Sequence, residues 1–151
     1  MKLAEALSIR QDCQTRIEQL KDRIINNVKV QEGEEPSEQP LELMKELNGC
    51  LDRLQDLIYR INATNIKVKG KDGRSLTEML AERDVLAKRI QTMRAVFESA
   101  TVTQDRYSRT EIKYVKTIDV KALHKDIDRL SAKLRILDID IQSLNFTEDL
   151  E

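Results

Sequence analysis

Apolar residues recur along most of this chain at alternating spacings of three and four, the mark of a heptad seam on an amphipathic helix. In a first segment, from about Lys2 to Asn27, the seam is Leu3, Ala6, Arg10, Cys13, Ile17, Leu20, Ile24 and Asn27, flanked by Leu7 and Val28. A second segment, about Pro40 to Asn62, places Met44, Leu47, Leu51, Leu54, Ile58 and Ile61 in its seam, with Leu43, Cys50 and Leu57 broadening it. A third, about Leu76 to Ala100, runs through Leu76, Met79, Arg83, Leu86, Ile90, Met93, Phe97 and Ala100. The fourth, about Val120 to Leu144, is the most regular: Val120, Leu123, Ile127, Leu130, Leu134, Leu137, Ile141 and Leu144. Helices of these lengths extend roughly 35–40 Å at about 1.5 Å per residue.

The breaks between seams carry their own signals. Gly33, Pro36 and Pro40 end the first helix and prime the second, in a loop made acidic by Glu32, Glu34, Glu35 and Glu38. Asp72-Gly73 predicts a turn, and Ser75-Leu-Thr-Glu78 has the form of a capping box at the start of the third helix. The long interruption from Gln104 to Asp119 mixes β-branched, basic and aromatic residues, and Asp119 suits the N-cap of the fourth helix. Residues 145–151 form a frayed or docked tail. Gly49 lies inside a helix, where it costs up to about 1 kcal/mol against alanine, and this predicts close packing at that point.

These elements predict an all-α protein, one domain over residues 1–151, built as an up-down-up-down four-helix bundle. The main variant is a pair of antiparallel coiled-coil hairpins that bundle on oligomerisation. The flanking Leu7, Leu43, Leu57, Leu80 and Ile136 exceed what a two-helix seam needs, and this favours self-association into a homo-oligomer. Val28–Gln31 and Ile112–Val115 are β-prone, so a short two-stranded pairing between the two connections at one end is also expected.

Composition agrees: 35% charged residues, 3% aromatic and no Trp are typical of long helices. A formal net charge of -1 gives no global attraction to nucleic acid or anionic membrane. Met1–Arg10 meets a charge too early for a signal-peptide core, and no apolar run approaches the roughly 20 residues of a bilayer span. A cytoplasmic protein with reduced thiols at Cys13 and Cys50 is therefore expected.

Several stretches taken together are similar to a known family. Lys29-Val-Gln-Glu-Gly-Glu-Glu-Pro36, Asp72-Gly-Arg-Ser-Leu-Thr-Glu78 with Ala81-Glu-Arg-Asp84, and Asp105-Arg-Tyr-Ser-Arg-Thr-Glu-Ile-Lys113 resemble its signature segments, as does Met1-Lys-Leu-Ala-Glu-Ala-Leu7. This is a small bacterial family often labelled septicolysin and otherwise treated as a domain of unknown function. The resemblance implies an all-helical cytoplasmic bacterial protein and brings no catalytic residues with it. The label hints at a membrane-lytic protein, a third and disfavoured function, because no secretion signal, no long amphipathic hairpin and no tryptophan-rich membrane tip is expected from the sequence.

Two places draw attention as sites. Arg10 and Arg83 each occupy a seam position seven residues past the first leucine of their helices, Leu3 and Leu76. In a bundle their level passes Asp138 and Asp140 on the fourth helix, and Asp56 and Tyr59 on the second. A buried guanidinium must be paired, so an arginine–carboxylate layer that fixes register is expected, with an anion pocket as the alternative and solvent-seeking side chains as a third outcome. The second place is the interruption itself. Arg106, Tyr107, Arg109, Lys113 and Tyr114 could contact phosphates and stack on bases, but the glutamates Glu32, Glu34 and Glu35 at the same end offer an internal partner. Lys67, Lys69, Lys71 and Arg74 form a second basic cluster at the opposite end.

Conventional catalysis finds little support. His124 with Asp128 one turn later reads as a surface ion pair and falls short of a metal site. A lone histidine and two seam cysteines argue against a catalytic triad. Glu35-x-x-Glu38 sits in a proline-bounded loop and Glu82-Arg-Asp84 has the wrong spacing for carboxylate-held metals. No enzyme activity and no cofactor are expected. The expected function is a self-associating scaffold or interaction protein. The alternative is an anion, nucleotide or nucleic-acid binding module, with nucleic acid not favoured.

Overall fold

A computed structural model describes residues 1–102 and 112–151. It contains four helices, α1 (Leu3–Asn27), α2 (Pro40–Lys67), α3 (Leu76–Thr101) and α4 (Val120–Thr147). The fold is all-α, as the heptad pattern predicts. The chain divides into two compact units, Met1–Thr77 with Gln142–Glu151, and Glu78–Ile141.

In the first unit α1 packs along α2. All eight predicted seam positions of α1 are buried or half-buried, with Leu3, Ala6 and Leu20 fully enclosed. In α2 the expected seam positions Leu47, Leu54 and Ile61 are buried or half-buried, but the broadening residues Leu43, Cys50 and Leu57 take the inward places expected of Met44, Leu51 and Ile58. Leu43, Leu57 and Ile61 are buried, with Leu47, Cys50 and Leu54 half-buried between them, whereas Met44, Leu51 and Ile58 are 42%, 43% and 42% exposed. Both rows fit heptad spacing. α1 covers only one of them.

Helix ends show what stops and what continues. Lys2 precedes α1, and its backbone N–H donates to Glu5 Oε2 at 2.9 Å, satisfying one orphan donor of the helix start. After α1 the chain turns within a few residues: the Glu34 N–H donates to the Gln31 carbonyl at 3.0 Å, and Gly33 takes φ +88°, a left-handed conformation suited to glycine. Asn62-Ala-Thr-Asn65 does not end α2, which continues to Lys67. Thr64 is 1% exposed, and its hydroxyl donates to the Arg60 carbonyl at 2.8 Å and accepts from the Glu151 N–H at 3.1 Å. A polar residue that satisfies its hydroxyl this way can stay inside a helix.

α4 likewise runs past Leu144, and the tail beyond it is docked. The Leu3 N–H donates to the Glu148 carbonyl at 3.0 Å and the Leu150 N–H to the Met1 carbonyl at 2.9 Å, around an antiparallel bridge between Lys2 and Asp149. Leu150 is buried at 8% exposure, so an apolar anchor accompanies these bonds.

In the second unit α3 and α4 share a core of Leu86, Ile90, Ile127 and Leu130, extended by Met93, Phe97, Leu123 and Leu134. Lys133 Nζ meets Glu82 Oε1 at 2.7 Å across the pair. The predicted seams of both helices are the ones buried or half-buried. Asp119 serves as the N-cap, its carboxylate accepting from the Ala122 N–H at 3.0 Å.

The expected β pairing between Val28–Gln31 and Ile112–Val115 is not present; the described residues contain no strand, only isolated bridges. Residues 112–115 are extended coil with side chains such as Ile112 at 91% and Tyr114 at 85% exposure. An isolated two-stranded ladder is marginal in water, and Val28 keeps a helical backbone (φ -76°, ψ -15°) at the end of α1, which shortens the first segment.

Gly49 also departs from expectation: a Cβ built there meets nothing within 4 Å, so no close packing demands glycine. Gly49→Ala should therefore raise stability by about 0.5–1 kcal/mol through restored helix propensity. Urea denaturation of the two proteins checks this; an unchanged or lower midpoint would show a constraint at that site.

Candidate interaction site

In the first unit two arginines of α1 reach across to carboxylates on α2 and in the loop before it. Arg16 and Arg23 lie seven residues apart on α1 and so project from the same flank of its seam. Arg16 Nε donates to Glu46 Oε1 on α2 at 2.8 Å. Arg23 Nε donates to Glu38 Oε2 at 3.0 Å, and its Nη2 binds the other carboxylate oxygen. Asn27 completes the clasp, its side-chain carbonyl accepting from the Glu38 N–H at 3.0 Å while its amide donates to the Arg23 carbonyl at 2.9 Å.

The acidic loop is thus tied to α1 by Glu38, while Glu32, Glu34 and Glu35 stand exposed. Sequence reasoning placed Asn27 in the seam and missed its capping of the loop. The heptad spacing of Arg16 and Arg23 was the signal that could have found both pairs.

Of the predicted interaction segment, Arg106, Tyr107 and Arg109 lie outside the described residues. Lys113 and Tyr114 are exposed in the second unit. There residues 112–118 border a cleft of about 1060 Å³ against α3, whose Thr92, Ala95, Val96 and Ser99 line it at helical spacing. Lys113, Tyr114 and Lys116 contribute to the lining, and no carboxylate does among the described residues.

The predicted polar layer is distributed over both units. Arg10 is half-buried on α1 of the first unit, where Asp56 on α2 pairs with Arg60 at 3.6 Å and Tyr59 is 73% exposed. Arg83 in the second unit reaches its own neighbour, Asp84, at 2.8 Å, with its side chain 36% exposed, so it is neither fully buried nor waiting for a distant carboxylate. Asp138 and Asp140 are half-buried on α4.

His124 Nδ1 lies 3.4 Å from Asp128 Oδ2, as the one-turn spacing predicts, and its ring sits 5.3 Å from that of Phe97. Among the described residues no group of three or more His, Cys, Asp or Glu is placed to hold a metal. No helix in the described residues is long and apolar enough to cross a membrane.

Apolar surface remains outside both cores. Besides Met44, Leu51 and Ile58 on α2, α4 exposes Ile136 at 62%, Ile139 at 60% and Phe146 at 69%. Of the flanks singled out in the sequence, Leu43 and Leu57 are buried, Leu7 and Leu80 half-buried, and Ile136 exposed.

An all-α, four-helix chain whose candidate sites are surfaces and ion pairs is the class these observations define. The chain belongs to a family of unknown function, DUF6847, whose model matches residues 10–150. It is also similar, at 40% identity and a TM-score of 0.93, to a functionally unknown conserved protein from Corynebacterium diphtheriae solved by crystallography. That similarity covers 100% of this chain and 99% of the other. No curated protein matches the sequence. A family of unknown function is thus established along the chain, and nothing supports the septicolysin label.

The Arg23 guanidinium, bonded to Glu38, holds that carboxyl below the ordinary carboxylate range. A depressed folded-state pKa contributes stability above the unfolded value, and the contribution is lost as pH falls through the folded one. The loop clasp should accordingly weaken on acidification from about pH 4.5 downward. In Arg23→Gln the Glu38 carboxyl should titrate higher, which carbon-detected NMR can follow; an unmoved titration would exclude the pairing.

Proposed function

We propose that this chain is a self-associating interaction protein. One observation carries the proposal: α2 presents a heptad-spaced apolar row, Met44, Leu51 and Ile58, that its neighbour α1 leaves more than 40% exposed. Regular apolar spacing over several turns is what a further helix packs against, and its exposure in water is unfavourable unless a partner covers it. The free thiols at Cys13 and Cys50 support action in a reducing compartment such as the cytoplasm. Light scattering coupled to size exclusion should give a mass that is a multiple of 17.5 kDa. A single-chain mass throughout the range from about 1 to about 100 µM would overturn the proposal.

A second reading, an anion or nucleic-acid binding module, is favoured by the cleft beside α3, where Lys113 and Lys116 line the wall without a carboxylate among the described residues. Each lysine–phosphate contact releases counterions, so binding of this kind must weaken steeply with salt. Retention on nucleic acid lost between about 50 and about 200 mM salt would move the assignment to it. Elution indifferent to the nucleic acid leaves self-association standing alone.

A further inference from the structure

The exposed row on α2 is longer than its three apolar residues. Met44, Asn48, Leu51, Gln55, Ile58 and Asn62 follow one another at spacings of four and three, and all six are exposed. This is a complete second seam, with Met, Leu and Ile at one heptad position and Asn, Gln and Asn at the other. It has no charged member. Lys45 and Asp52 border it, while Glu46 is engaged by Arg16 of α1 and Asp56 by Arg60. Leu41, 83% exposed, and Ile66, 63% exposed, extend the uncharged face at either end. From Leu41 to Ile66 the helix is roughly 39 Å long, more than three heptads.

We infer that this row is an in-register, parallel two-fold seam for the α2 of a second copy of the chain. The inference rests on the self-association proposed above and names its surface and geometry. The amides identify the occupant. A carboxamide is donor and acceptor at once, so Asn and Gln are complementary to themselves, whereas a charged seam would call for an opposite charge. In a parallel two-fold pair every seam residue meets its own copy: Asn48 with Asn48, Gln55 with Gln55 and Asn62 with Asn62, between layers of Met44, Leu51 and Ile58. A slip by one half-heptad places amides against apolar side chains and leaves them unbonded, and a slip by a whole heptad leaves the pair without a closed two-fold axis, so amides and symmetry together select the register. They do so at a cost in stability, and the dimer is weak and reversible.

The experiment uses the full chain with Cys13→Ala and Cys50→Ala as background, checked for unchanged helicity by circular dichroism. Asn48→Cys and Gln55→Cys are introduced singly and oxidised. Both variants should give a disulfide-linked dimer, because each position faces its copy. Gln55→Leu should tighten the dimer on the order of tenfold by removing an amide from the seam. Leu51→Glu should give a folded single chain.

A dimer by light scattering that links at Gln55→Cys alone, or at neither position, overturns the parallel seam while self-association stands. A dimer undisturbed by Leu51→Glu assigns the contact to another surface. A wild-type chain that stays single removes both proposals.

Discussion

A helix packed against one neighbour can bury one heptad row, and α2 carries two. Much of the first unit follows from this. α1 takes the row of Leu43, Leu57 and Ile61, with Leu47, Cys50 and Leu54 between them. Beside this row Arg16 reaches Glu46 on α2, and Arg23 reaches Glu38 in the loop before it. These pairs are partly exposed, and such bridges contribute little stability; the apolar burial along the row supplies more. The second row is what remains for interaction.

The two connections illustrate different ways of handling loop polarity. The acidic loop between α1 and α2 uses one glutamate, Glu38, as an anchor and leaves Glu32, Glu34 and Glu35 in water, where a dense negative charge is cheaply solvated. The connection after α3 instead leaves β-branched and aromatic side chains at 112–115 beside the small-residue face of α3. One loop is polar and tied down. The described end of the other, residues 112–118, mixes apolar side chains with Lys113 and Lys116 and forms a cleft wall.

Much of this was legible in the sequence, and the exceptions have physical causes. The seams of α1, α3 and α4 could be read because each has one apolar row, so periodicity alone decides which face is buried. α2 could be read only in part. Leu47, Leu54 and Ile61 lie where expected, but two adjacent apolar rows flank them at the same period, and the period alone does not say which of Leu43, Cys50, Leu57 or Met44, Leu51, Ile58 turns inward. Asn62-Ala-Thr-Asn65 looked like a stop because Asn and Thr compete with helical backbone bonds. The tail residue Glu151 turns Thr64 into a buried, satisfied side chain, a long-range contact invisible to local pattern. Arg83 has a local partner that the seam pattern does not show: a long side chain at a seam can bend toward an adjacent carboxylate, here Asp84, at less entropic cost than reaching another helix.

The bridge between Lys2 and Asp149 has a consequence for the order of assembly. Residues 142–151 complete the unit begun by residues 1–77, so that unit closes only after the intervening stretch, 78–141, has been gathered in. Closing so long a loop as free chain costs entropy that grows with the logarithm of its length. If α3 and α4 pair first, through Leu86, Ile90, Ile127 and Leu130, the intervening chain is already folded back on itself and the closing step is shortened. The local hairpin then shortens the non-local closure, and the chain just after α4 is what ties down the start of α1.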